Sequence, residues 1–413
     1  MNVLFKNIKE LIQVREIAID FLSGKEMNVL PTLKNAFLLV EHGLIADFGF
    51  MEDCPDIEIK TIDATGKMIL PSWCDSHTHL VYAGNREDEF VDRINGLSYK
   101  EIADNGGGIL NSAKRLQTTS EEDLYNQSKV RLEEIIQLGT GAVEIKSGYG
   151  LTKDAELKML RVIRKLKEKY PIEIKATFLG AHALPETYKY NKSGYLQMLI
   201  DDILPAIQKE NLADFIDIFC ETGYFSVADT QQILDAGKKY GLVGKIHVNQ
   251  FTTIGGIQAG IKNDVLSVDH LEEMRSEDIE ALKNTKTMPV ALPSCSYFLS
   301  IPYTPARKMI DAGLPLALAT DYNPGSAPSG NMNFVVATAC IKMKMTPEEA
   351  INAGTINGAY AMNLQDKVGT ITKGKLANLI LTKEINSYSF IPYSFGNHCI
   401  EKVFLKGLEI KKS

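Results

Sequence analysis

The sequence predicts an α/β protein, a (β/α)8 TIM-type barrel with a small β-sandwich domain built from both chain termini. Three observations carry this. Eight short apolar runs alternate with longer amphipathic stretches between residues 67 and 371. The segments on either side, 1–66 and 372–413, read as β-rich pieces. At 413 residues, 45% hydrophobic and 23% charged, the chain has the composition of a globular protein and a length suited to one large or two ordinary domains.

In chain order, the stretch AFLLVEHGLIADFGF alternates around His42-Gly43, as a hairpin would. The expected barrel strands are MILPSWCDSHT, GAVEIK, IEIKATFLG, FIDIFCE, GKIHV, VLSVDH, MPVALP and LPLALAT. Between the second and third lies DAELKMLRVIRKLKEKY, where Leu157, Leu160, Ile163 and Leu166 recur at helical spacing. Past residue 371, GKLANLILTK and EKVFLKGLEIKK complete the sandwich. The segment G-T-I-T-K-G-K, 369–375, mimics a phosphate-binding loop, but Leu376 replaces the required Ser or Thr and no long helix follows, so it reads as a tight turn. No GxGxxG follows a strand, which argues against a dinucleotide.

A net charge of −7 without any block of Lys or Arg argues against nucleic acid or an anionic membrane as the main partner. The opening MNVLFKNIKELI has no continuous apolar stretch of a secretory leader, and no run reaches the roughly 18 apolar residues of a spanning helix. The six cysteines are scattered without a CxxC pair, which suits a reducing compartment; a cytoplasmic protein is expected. Cys295 in LPSCSYF sits near a strand end, but no histidine is nominated as its base.

The stretch DSHTHLVYAG places His77 and His79 on alternate positions at the end of an apolar run. In a strand those positions share a face. Two imidazoles projecting into one buried space need a partner, and a divalent metal satisfies both. Five of the seven histidines (His77, His79, His182, His247 and His270) fall at or just after the C-terminal ends of expected strands, and Asp321 ends the eighth. That end of a barrel is where active sites lie.

HTH on the first strand, a lone His on the fifth and on the sixth, and Asp after the eighth resemble the amidohydrolase superfamily. The stretches DSHTHLVYAGNREDEF, NGGGIL, EIKSGYGLT, TFLGAHALP, KIHVNQ, SVDHLE and LATDYNPGSAPSGNM are most similar to its imidazolonepropionase family. They span roughly residues 70 to 335. The resemblance implies one metal ion, Zn²⁺ or Fe, on His77, His79, His247 and Asp321. A second metal bridged by a carboxylated lysine on strand four is not expected, because FIDIFCE has none. Lys146, at the end of strand two, is read as structural.

The implied reaction is hydrolysis of the cyclic amide of 4-imidazolone-5-propanoate to N-formimidoyl-L-glutamate, with water activated at the metal. Asp321 would carry the proton from that water to the leaving nitrogen, and His270 would stabilise the developing oxyanion. Gln250 stands where some relatives carry Glu; an amide cannot be a general base, so it can only orient substrate or water. Arg86 would bind the propionate bidentately, although beside Glu87 and Asp88 it also reads as a surface residue. The resemblance further assigns substrate contact to Tyr149, His182, Asn323, Gly325 and Ser326, with Tyr99 a weaker candidate. Gly325 would let a ligand approach the backbone. A small-molecule substrate, no nucleic acid and no membrane are the expected partners, and a homodimer is compatible with the family. Two other readings stay open: another mononuclear amidohydrolase, such as a ring deaminase or cyclic amidase, and a non-catalytic metal-binding scaffold of the same fold.

Overall fold

The structure, a computed structural model, describes residues 2–97, 101 and 107–411. Tyr99 of the expected pocket lies outside the described residues. Among the described residues the strands fall into two eight-stranded sheets.

The first sheet gathers strands from both termini. From the N-terminal part come β1 (Val3–Ile12), β2 (Thr32–Glu41), β3 (Leu44–Phe50), β4 (Lys60–Asp63) and β5 (Lys67–Pro71). The second sheet comprises β6 (Trp73–Thr78), β7 (Thr140–Lys146), β8 (Glu173–Ala181), β9 (Phe215–Cys220), β10 (Val243–Val248), β11 (Ser267–His270), β12 (Met288–Ala291) and β13 (Ala317–Leu318). The C-terminal part returns to the first sheet with β14 (Leu379–Glu384), β15 (Ile400–Leu405) and β16 (Leu408–Glu409). β14 pairs antiparallel with β5, and this joins the two ends of the chain. The hairpin at His42-Gly43 is present: Glu41 pairs with Leu44, and both turn residues have positive φ (52° and 83°), as a two-residue primed turn requires.

The second sheet runs β6 to β13 in sequence order, all pairs parallel. It closes through the segment after β13: Thr78 bridges Tyr322, Asp321 donates its N–H to His77 O at 3.0 Å, and His79 donates to Tyr322 O at 2.9 Å. The last strand thus meets the first at the histidine pair. Helices fill the crossovers. Lys153–Lys169 buries Leu157, Leu160, Ile163 and Leu166, the stripe its spacing specifies. None of the described helices is long and apolar enough to cross a membrane.

One expected strand is two. MILPSWCDSHT leaves the first sheet after Pro71 and enters the barrel at Trp73: the Ser72 N–H still donates to Asn378 O beside β14 (2.9 Å), whereas the Trp73 N–H donates to Gly139 O beside β7 (2.9 Å). Burial on both sides hides this break in an unbroken apolar run.

Candidate metal centre

The alternation of β6 turns the His77 side chain into the barrel, and His79 follows at its mouth. His79 Nε2 lies 3.3 Å from His247 Nε2 on β10 and 3.5 Å from Asp321 Oδ1; His77 Nε2 lies 3.6 Å from that same oxygen. All four side chains are at most 3% exposed. Donor atoms of His77, His79 and His247 lie within 4.8 Å of one another, and so do those of His77, His270 and Asp321. Asp321 (φ 56°) and His270 (φ 91°) hold left-handed backbone conformations that cost non-glycine residues about 1–3 kcal/mol each; strain of this size gathers at functional sites.

The chemistry of this donor set fits a metal. His77 Nε2 is buried with no hydrogen-bond partner among the described residues, an arrangement that costs stability unless a cation accepts its lone pair. Burial, reinforced by neighbouring cationic groups, holds His77 and His79 well below the ordinary histidine range, so both are neutral, as ligands must be. Burial also pushes the Asp321 carboxyl up, a tendency that a cation in contact would reverse. Three imidazoles and one carboxylate suit Zn²⁺ or Fe.

Behind the ligands lie carboxylates that the sequence reading missed. Asp269 Oδ2 is 2.7 Å from His77 Nδ1, and Asp217 Oδ2 is 2.9 Å from His247 Nδ1. Each is a single acidic residue inside an apolar strand, in SVDH and FIDIF; a charge at such a position was the available signal. Asp75, beside the histidine pair, accepts from the Thr320 N–H (3.0 Å) and hydroxyl (2.7 Å), tying the first barrel strand to the last. His270 Nδ1 lies 3.4 Å from Glu272 Oε1. Burial alone would lower the His270 imidazole, but the Glu272 charge outweighs it and raises it. Glu272 also went unnoticed, although it stands two residues beyond His270.

A small chamber of about 50 Å³ opens from the metal centre into a cavity of about 380 Å³. Tyr149, His182, Gln250, Asn323 and Ser326 line both, while Arg86 and Gly325 line the outer one. His182 stacks on His79 at 5.0 Å and meets Gly148 O through Nδ1 at 3.2 Å; burial lowers it to about 3, so it is a neutral ring. Gln250 Nε2 lies 3.4 Å from Cys295 Sγ. Burial raises that thiol well above its ordinary value, which disfavours the reactive thiolate. The Asn323 amide holds the loop around Asp321: its Oδ1 accepts from Gly325 N and Ser326 N, both at 2.8 Å, and its Nδ2 donates to Asp321 O at 2.6 Å. Ser326 Oγ in turn donates to Asp321 Oδ2 at 3.2 Å.

Arg86 points inward. Its Nε donates to Ser112 Oγ at 2.8 Å, and its Nη2 is buried without a partner among the described residues. The space that glycine leaves at 325 is taken by this guanidinium, since a Cβ there would stand 2.2 Å from Arg86 Nη1.

The sequence pattern of the Amidohydrolase family matches residues 68–410. The chain is 69% identical over 408 residues to imidazolonepropionase of Flavobacterium johnsoniae, with 98% of this chain and 99% of that protein covered. It is 40% identical over 417 residues to imidazolonepropionase of Clostridium tetani, covering 100% and 99%. Among solved structures, guanine deaminase of E. coli superposes with a TM-score of 0.77 at 14% identity, covering 100% of this chain and 99% of that one. The 5-methylcytosine deaminase of Klebsiella pneumoniae superposes at 0.75 and 17%, covering 100% and 98%. These two likenesses establish the barrel fold.

Proposed function

The chain belongs to the imidazolonepropionases of the amidohydrolase family and is a hydrolase of histidine degradation; on that premise we propose how its barrel opens the cyclic amide of 4-imidazolone-5-propanoate. The observation that carries the reading is the convergence of His79, His247 and Asp321, with His77 Nε2 3.6 Å from Asp321 Oδ1, at one buried chamber that opens onto a cavity lined by Arg86, whose Nη2 has no partner among the described residues.

His77, His79, His247 and Asp321 would hold one Zn²⁺ or Fe ion, which would supply Lewis acidity for the ring carbonyl and lower the pKa of a water to roughly 7. Arg86 binds the propionate through its free Nη2 and fixes the ring at the mouth of the inner chamber. Neutral His182 and Tyr149 form its wall. Water adds to the ring carbonyl carbon, the ring C–N bond breaks, and the product is N-formimidoyl-L-glutamate. Asp321 Oδ2, the oxygen that Ser326 Oγ holds at 3.2 Å, takes the proton of the attacking water and returns one to the leaving nitrogen. His270, its Nδ1 engaged by Glu272, presents its other nitrogen to the oxygen that gains charge. Gln250 can orient substrate or water but cannot take a proton. The absence of disulfides among the described residues supports a cytoplasmic setting.

The test is turnover of freshly made 4-imidazolone-5-propanoate by metal-analysed protein, with the product identified because this substrate also decays unaided. Formation of N-formimidoyl-L-glutamate well above the spontaneous rate, with loss of bound metal in His247→Ala, is the expected outcome. Metal-loaded protein that does no better than buffer would overturn the reading.

A further inference from the structure

Five acidic and basic side chains are sealed in the barrel beneath the ligand histidines: Glu144, Lys146, Asp217, Lys245 and Asp269, each at most 1% exposed. Lys146 Nζ lies 2.5 Å from Glu144 Oε1, 2.8 Å from Asp217 Oδ2 and 3.6 Å from Asp269 Oδ2. Those two aspartate oxygens are the ones that face His247 Nδ1 (2.9 Å) and His77 Nδ1 (2.7 Å). One ammonium therefore touches both atoms that set the orientation of two ligand rings on two different strands. We propose that Lys146 is a positioning residue of the metal centre, which acts through Asp217 and Asp269 to hold His77 and His247 with Nε2 directed at the ion.

A carboxylate that accepts from Nδ1–H fixes the tautomer and the ring plane, leaving Nε2 as the donor to the metal. Left to themselves, three carboxylates in a dry core repel one another and turn toward whatever donors they find. Two of the ammonium's protons go to Glu144 Oε1 and Asp217 Oδ2, and its charge stands 3.6 Å from Asp269 Oδ2. Lys245 does not substitute for it. That side chain is committed to Glu144 Oε2, Ser76 O (3.0 Å) and Ala361 O (3.2 Å), and stands 3.9 Å from Asp269. Burial alone would lower Lys146, but Asp217, Glu144 and Asp269 outweigh it and keep the side chain charged. Two ammonium groups against three carboxylates also leave one negative charge beneath the cation site.

This inference rests on the ligand set given above. The test is competitive chelation of Zn²⁺ by apo-protein for wild type, Lys146→Gln, Asp269→Asn and the double variant, with the fold followed by circular dichroism. Folded Lys146→Gln should bind Zn²⁺ about 10–100-fold more weakly. The double variant should lose much less than the product of the two single losses, because both act on one ring. In ¹⁵N-histidine NMR of the wild-type apo-protein, His77 and His247 should carry the proton on Nδ1. A purely structural lysine would lower thermal stability and leave Zn²⁺ affinity unchanged; that result, or multiplicative losses in the cycle, would overturn the proposal. So would the opposite tautomer in either ring. Failure of both Lys146→Gln and Lys146→Met to fold, even with Zn²⁺, would also overturn it by making the lysine a requirement of the barrel. Wild-type protein that binds no Zn²⁺ or Fe would instead sink the ligand set itself.

Discussion

A methyl group on residue 325 would stand 2.2 Å from Arg86 Nη1, so the glycine and the arginine are a single device. The N–H of Gly325 is held by Asn323 Oδ1 (2.8 Å), which keeps the loop from yielding. Gly325→Ala should therefore push the guanidinium off its place and reproduce much of the defect of Arg86→Met. For Arg86→Met, loss of a buried carboxylate partner is worth about 2 kcal/mol or more, or roughly a 30-fold rise in KM with a smaller change in kcat. Steady-state kinetics with both variants check this, and an unchanged KM in Arg86→Met would remove the arginine from the substrate site. The histidines and the aspartate of the barrel mouth stood out in the sequence because such residues have few reasons to occupy buried strand ends. Arg86 was legible only through family likeness: beside Glu87 and Asp88 nothing local distinguishes it from a solvated arginine, and its burial comes from the distant Ser112 and Gly325.

At the scale of the element, the loop after β7 carries Tyr149 into the cavity, and the next helix holds it there. Glu156, fully buried, accepts from Gly148 N (3.0 Å), Gly150 N (2.8 Å) and Leu151 N (2.9 Å). Glu156→Ala leaves those three donors unsatisfied, at a cost of about 1–3 kcal/mol each before water enters. The expected result is a loop that exchanges amide protons faster over 148–151, with turnover lowered because Tyr149 is no longer fixed. Hydrogen exchange and kcat/KM measure the two effects, and native protection of the loop in the variant would contradict the assignment. The helix carrying Glu156 was plain in its apolar spacing. That its first turn caps a loop was not, since one of the two Glu in DAELKMLRVIRKLKEKY gives no sign of facing inward. Likewise the split between β5 and β6 is invisible in MILPSWCDSHT, because both halves are buried, one in each sheet.

The whole molecule is two sheets sharing one chain, and Lys375 sits in the turn where it returns from the barrel to the terminal sheet. Its Nζ donates to Val368 O at 3.2 Å, and burial lowers its pKa from 10.5 to about 8. Below pH 8 the lysine is protonated in both states, and the cost of burying the charge is fully present. Between 8 and 10.5 the unfolded chain binds more protons than the folded one, so this group makes stability rise with pH. Lys375→Met should stabilise the protein at pH 7 by ~1–3 kcal/mol and flatten that rise, as read from denaturant unfolding of both proteins across pH 7–11. Equal stability differences at every pH would refute it.

By itself the sequence determined the alternation that makes a barrel, the hairpin at His42-Gly43, and the gathering of five histidines and Asp321 at strand ends. These follow from local rules, in which side-chain period and residue type are enough. Only the tertiary structure decided which carboxylates stand behind the ligands, that one lysine spans Asp217 and Asp269, and that Arg86 fills the gap beside Gly325. Those contacts join residues from 30 to 239 positions apart. Burial, and with it the strength of every charge, exists only once the strands have closed into a ring.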